Sequence, residues 1–108
     1  MDAIFCWVMC ADEAEALRIG RTVVQERLAA CANLLPGSRS VYWWQGKLEE
    51  STETVLVLKT RRALFSSVSE RVAGLHRYET PCVIGLPLVE GHAPYLDWIT
   101  QQSKGVQE

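Results

Sequence analysis

Apolar residues run unbroken from Ala3 to Cys10, rich in the β-branched and aromatic types that fill pleated surfaces. A run of this length predicts a strand buried on both faces. Asp12 follows as a helix N-cap, with Glu15 at the capping-box spacing and Glu13 adding favourable charge to the first turn. Ala16, Leu17, Ile19, Gly20, Val23, Val24 and Leu28 fall on one arc at helical spacing, while Arg18, Thr22, Gln25 and Glu26 fall opposite, which predicts an amphipathic helix to about Ala30. Pro36-Gly37 marks a turn or bulge. Ser40 to Leu48 reads as a strand carrying Tyr42, Trp43 and Trp44 in succession. Adjacent strand residues point to opposite faces, so both faces of the sheet need cover at these tryptophans. The polar stretch Glu49 to Glu53 is expected to hold a reversal, and Thr54 to Thr60 the returning strand.

A second helical pattern begins at Arg61, with Leu64, Val68, Val72 and Leu75 on one side and Gly74 near its end. Tyr78 to Pro81 reads as a loop and Cys82 to Val89 as a fourth strand. Pro87 confines that strand to a sheet edge or a bulge. Pro94 opens a short third helix with Tyr95, Trp98 and Ile99 as its apolar side, and His92 precedes it as a surface cap. The tail from about Ser103 is expected to be loosely ordered. This order predicts one α+β domain over residues 1–108, a ferredoxin-like (split β-α-β) sandwich with a short extra C-terminal helix. Right-handed crossovers put both main helices on one sheet face. The other face, equally apolar, is left nearly bare, which predicts an oligomer closed by sheet packing. The alternative is a monomer whose bare face takes a large apolar ligand.

Composition narrows the partners. Eleven Lys and Arg against thirteen Asp and Glu give a net charge of −2. The one basic cluster, Lys59, Arg61 and Arg62, is too small for a nucleic-acid footprint, so no nucleic-acid partner is expected. No apolar run approaches a membrane span. The Met1-Asp2 start lacks the basic region of a secretory signal, and the expected location is cytoplasmic. The four cysteines then read as thiols or metal ligands. Cys6 and Cys10, four strand steps apart, lie about 13 Å from one another, too far for a disulfide or a shared ion. The sequence contains no phosphate-binding glycine loop, zinc-finger spacing or His-Glu-x-x-His helix, and no enzymatic activity is expected. A Cys10–His76 nucleophile pair has no third residue to orient it.

Leu28-Ala29-Ala30-Cys31-Ala32-Asn33, Ser40-Val41-Tyr42-Trp43-Trp44-Gln45-Gly46-Lys47-Leu48-Glu49, Leu58-Lys59-Thr60, His76-Arg77-Tyr78-Glu79-Thr80-Pro81 and Tyr95-Leu96-Asp97-Trp98-Ile99 together resemble the CutA family of divalent-cation tolerance proteins, from Cys10 to about Thr100. The resemblance implies a trimer of ferredoxin-like subunits, similar in shape to the PII signalling proteins, with clefts between subunits. It implies a homotrimer concerned with the response to metal ions, binding copper or another divalent cation, and no established reaction. It also implies that Cys10 and His76 are the metal ligands, residue types that suit copper. Strand one and helix two need not end together in one subunit, so whether the two share a site, within one subunit or across an interface, stays open. Tyr42, Glu49, Lys59, Tyr78 and Trp98 match the family's ligand cleft, and Trp43 and Trp44 its trimer interface. Lys59, ending an apolar strand, is expected to meet a carboxylate or an anion.

The chain departs from the family pattern at Leu75, at Arg77, whose charge would repel a nearby cation, and at Cys82, where a glutamate is usual. Other readings of the same residues stay open. Cys10 and Cys31 read equally as packed thiols, and His76 as a helix-end histidine. At the level of function, two alternatives stand beside metal binding: a PII-like sensor of a small anionic metabolite, motivated by Lys59 and Arg61, and a structural trimer that anchors a partner protein.

Overall fold

A computed structural model describes residues 2–105. Its elements are β1 (Ala3–Cys10), α1 (Glu13–Gln25), β2 (Cys31–Trp44), β3 (Lys47–Arg61), a single 3-10 turn (Arg62–Leu64), α2 (Phe65–Leu75), β4 (Val83–Pro87) and α3 (Ala93–Gln102). One antiparallel sheet of order β2-β3-β1-β4 runs through the molecule. This is the ferredoxin-like arrangement, and Pro87 ends an edge strand as its missing amide requires.

The core lies between the sheet and α1 and α2. Ile4, Cys6, Val8 and Cys10 of β1 and Leu56 and Leu58 of β3 meet Ala16, Ile19, Val23, Val68 and Val72 of the helices. On the opposite face, Val55 and Val57 are buried and α3 covers one end, with Ile99 fully enclosed. Gly20 sets the approach of α1 to the sheet: a Cβ there would stand 3.0 Å from the Ala32 Cβ and 3.1 Å from Leu56 Cδ1. Ala32 Cβ is fixed to a strand backbone and cannot retreat. Gly20→Val is therefore expected to cost about 2 kcal/mol through overpacking, read as a lower urea midpoint at unchanged slope.

Helix α1 stops five residues before the expected Ala30. Arg27 adopts a left-handed conformation (φ 64°), its amide donating to Val24 O and that of Leu28 to Val23 O. These are the two bonds of a Schellman stop. The apolar pattern continues because Leu28 and Ala29 remain buried on leaving the helix. Thr60 holds this exit by donating its hydroxyl to Leu28 O at 2.6 Å.

The expected reversal at Glu49–Glu53 is absent. Instead, β2 and β3 pair continuously to a two-residue turn at Gln45-Gly46, with φ of 51° and 79°. Both central residues with positive φ make this the turn type that suits hairpin twist. The polar residues lie inside β3, where Glu49, Ser51 and Glu53 alternate with Glu50 and Thr52. Because β1 ends at the Cys10–Thr54 pair, 38–44 and 47–53 form a two-stranded arm beyond the body.

Pro36-Gly37 is the bulge, shifting register between Leu35 and Ser38. Before it, Ala32 and Leu34 pair with Leu58 and Leu56 on the helix side; after it, Ser40, Tyr42 and Trp44 pair with Ser51, Glu49 and Lys47 on the other. Trp43 shares the helix-side face with Val41 and Leu48, but the arm extends past the helices. Trp43 is 73% exposed and Trp44 49%. The expectation that the subunit's own helices would cover one tryptophan face is thus corrected: neither is covered.

The tail is also better fixed than expected. Ser103 is buried and its carbonyl accepts from Arg61 Nε at 2.6 Å, while the Gly105 amide donates to Arg27 O at 2.9 Å. The rest of the tail, 106–108, lies outside the described residues.

Candidate functional site

Three buried donors converge where β1, the start of α1 and the end of α2 meet. A ligand atom of each of Cys10, Glu15 and His76 lies within 4.8 Å of the others. The sequence left open whether Cys10 and His76 meet within one subunit; one subunit brings them together. The reason is that β1 runs toward the end from which the α2–β4 loop departs, and His76 docks on β1, its Nε2 2.7 Å from Met9 O.

Glu15 organises this corner. It is 1% exposed. Its amide donates to Asp12 Oδ1 at 2.8 Å, as the capping spacing predicts. Its carboxylate does more than close a capping box. Oε1 accepts the Ala11 amide at 2.8 Å and Oε2 accepts the Arg77 amide at 2.7 Å, joining the start of α1 to the loop after α2. His76 Nδ1 lies 3.8 Å from the same Oε2 and accepts the Tyr78 amide at 3.0 Å. With Nδ1 accepting, the proton sits on Nε2 and is donated to Met9 O. The Arg77 guanidinium is 3.3 Å from Asp12 Oδ2 and 3.9 Å from Glu15 Oε2, so its charge is already matched by carboxylates.

Burial pushes the Cys10 thiol up to about 12, reinforced by the negative charges of Glu15, Glu53 and Asp12 and opposed by Arg18. Such a thiol is protonated at neutral pH and is a poor nucleophile. The same negative surroundings favour any cation that replaces the proton. Thiol, imidazole and carboxylate form a donor set of borderline softness that suits copper or zinc. Cys6, pushed by burial to about 11, is enclosed in the core. All four cysteines are free thiols.

The expected cleft residues fall into two groups within one subunit. Lys59 and Trp98 sit at the α3 end. Lys59 Nζ donates to Tyr95 OH at 3.0 Å and lies 5.7 Å and 5.3 Å from the Phe5 and Tyr95 ring centres, and Tyr95 stacks on Trp98. Its partners are thus a phenol and two ring faces, not the carboxylate or anion expected. Tyr42, Glu49 and Tyr78 lie toward the arm, and the Glu53-to-Lys59 stretch of β3, about 20 Å, separates the groups. Tyr78 donates to Glu53 Oε2 at 2.9 Å, and Tyr42 OH is 3.3 Å from Ser51 Oγ. A cavity of about 650 Å³ opens here, walled by Tyr42, Trp44, Glu53, Tyr78 and Cys82 among others. Glu15 and Glu53 were not legible as site residues. Glu15 has a sufficient role as a helix cap, and Glu53 stands in a polar run that resembles a turn. Among the described residues, no helix is long and apolar enough to cross a membrane.

A family profile described as CutA1 divalent ion tolerance protein matches residues 4–102. Protein CutA from Mus musculus is 43% identical over 100 residues, covering 93% of this chain and 56% of its own length. The divalent-cation tolerance protein CutA from Thermus thermophilus is 43% identical over 91 residues, covering 84% of this chain and 88% of its own. The chain thus spans little more than half of the mouse relative. Among solved structures, CutA from Xylella fastidiosa superposes with a TM-score of 0.93 at 38% identity, covering 96% of this chain and all of that one. Relatives carry the descriptions chloroplastic, from Oryza sativa, and periplasmic, from Archaeoglobus fulgidus. On the profile match and these identities, the chain belongs to the CutA1 divalent ion tolerance family.

Proposed function

We propose that the protein is a non-catalytic homotrimer that takes up a divalent cation, copper foremost, at Cys10, Glu15 and His76. The observation that carries the reading is the convergence of three buried donors of different charge and softness in one corner of the subunit. A cation entering there exchanges with the thiol proton and takes an imidazole nitrogen from its hydrogen bond. The three carboxylates that raise the Cys10 thiol compensate its charge. Trimer formation is supported by the apolar surface left open: Val41, Trp43 and Leu48 on one face of the arm, Ile84 and Leu86 at the opposite edge of the sheet. Four thiols suit a reducing compartment, and the cytoplasm is the proposed location.

Native mass spectrometry with and without copper tests both parts together. The expected result is a species of three chains that gains copper mass, with the gain lost in Cys10→Ser. The pH dependence follows from the thiol. Because the thiol holds its proton throughout the neutral range, metal uptake releases it, and affinity is expected to rise about tenfold per pH unit between roughly pH 6 and 8. A competition titration at three pH values measures this. An affinity that does not change with pH would remove Cys10 thiolate from the ligand set.

A further inference from the structure

Glu53 is a nearly enclosed carboxylate without a counter-charge. It is 7% exposed. Its one hydrogen-bond partner is the neutral Tyr78 hydroxyl, and among the described residues no lysine, arginine or histidine forms an ion pair with it. Tyr78 cannot neutralise it, because a phenol donates a hydrogen bond but carries no positive charge in either protonation state. A buried charge is normally paired. The cavity beside Glu53 supplies no pairing group: Glu79 is the other charged residue on its wall, and the remainder is aromatic, apolar, hydroxyl-bearing or, at Cys82, a thiol.

The same wall presents Tyr42, Trp44 and Tyr78. Aromatic faces attract cations, and more strongly when water is excluded. At about 650 Å³ the space exceeds what a bare ion needs and falls within the range of small-molecule sites. Met9 adds apolar surface that would cover a carbon skeleton. We infer that this cavity binds a small organic ammonium cation, its charged nitrogen paired with Glu53 and enclosed by the three aromatic rings. An anionic metabolite is disfavoured at this place, since it would face two carboxylates and no basic group. The inference goes beyond the cation site at Cys10 and does not depend on it.

The probe is benzyltrimethylammonium, titrated calorimetrically into the intact assembly in buffer containing a metal chelator. Benzyl alcohol and benzoate are the neutral and anionic controls. The expected result is saturable binding of the ammonium, weak or absent binding of the alcohol, and none of benzoate. Glu53→Gln, which keeps the size of the side chain and an acceptor for Tyr78, should weaken ammonium binding about tenfold or more. Tyr42→Leu, on a half-exposed position that folding does not require, should weaken it severalfold. No saturation in the millimolar range, equal binding of the alcohol, or unchanged affinity in Glu53→Gln would each overturn the inference. So would dissociation of the assembly by Glu53→Gln, which would identify the counter-charge as a basic side chain of another copy. The chelator makes the outcome independent of metal uptake at Cys10.

Discussion

Replacing Glu15 with alanine is expected to lower stability by about 3 kcal/mol and to abolish metal uptake together. The stability loss comes from two part-buried backbone amides, Ala11 and Arg77, that lose their acceptors. Each unsatisfied buried donor costs on the order of 1–3 kcal/mol. In a domain of this size the change corresponds to a fall of roughly 15 °C in the melting midpoint. Glu15→Gln separates the two roles. Its carbonyl replaces one acceptor, but its amide nitrogen cannot accept from the other N–H. Stability should recover by about half, while the lost charge still weakens cation binding. Thermal melts and copper competition on both variants give the comparison. If Glu15→Ala melts within about 1 kcal/mol of the parent, the carboxylate does not join α1 to the loop as described. If Glu15→Gln binds copper as tightly as the parent, Glu15 is not a ligand.

The second large effect belongs to the arm. Converting Val41 and Trp43 both to aspartate places two like charges on a surface whose neighbours, including Leu48, are apolar and exposed. The isolated subunit should fold nearly as well as before, because neither side chain contributes to the core. The assembly should not form, since a charge buried without a partner costs several kcal/mol per site and would act at each copy of the interface. Native mass spectrometry should then report a single chain where three are proposed for the parent. Retention of the trimer by the doubly charged variant would move the interface elsewhere, with the open sheet face at Ile84 and Leu86 as the next surface to alter.

Both effects depend on features the sequence reveals unevenly. The element order and the buried character of β1 were legible because a two-faced apolar run has few other interpretations. The corner at Cys10 and His76 was legible by resemblance, but not its closure inside one subunit, which depends on where the α2–β4 loop docks. Glu15 was hidden because local capping explained its position completely. Its longer contacts, to Arg77 and His76, are set by tertiary packing. The hairpin turn was misplaced for the opposite reason. Five polar residues in a row look like solvent-exposed coil, yet in an arm without helices a strand can be polar on either face. Gly46 carried the correct signal, since a glycine after Gln45 permits two successive positive φ angles. The end of α1 gave no such signal, because Arg27 adopts the left-handed conformation without being glycine.

The bulge between Leu35 and Ser38 acts on the chain as a change of reading frame. Upstream of it, even-numbered residues of β2 face the helices; downstream, odd-numbered ones do. The core-forming and outward-facing halves of a single strand are thereby decoupled, so mutations can accumulate in one half without altering the packing rules of the other. Length changes in the arm are not equivalent under this arrangement. Adding two residues to each strand would extend the arm and leave every side chain on its own face. Removing the single extra residue at the bulge would leave one residue opposite Thr54 and keep Ser38 on Glu53 and Trp43 on Leu48, so the arm would straighten while every side chain kept its face. Two-residue steps taken in both strands and loss of the bulge residue should therefore both be tolerated, while a one-residue change to a single strand elsewhere in the arm requires a bulge of its own.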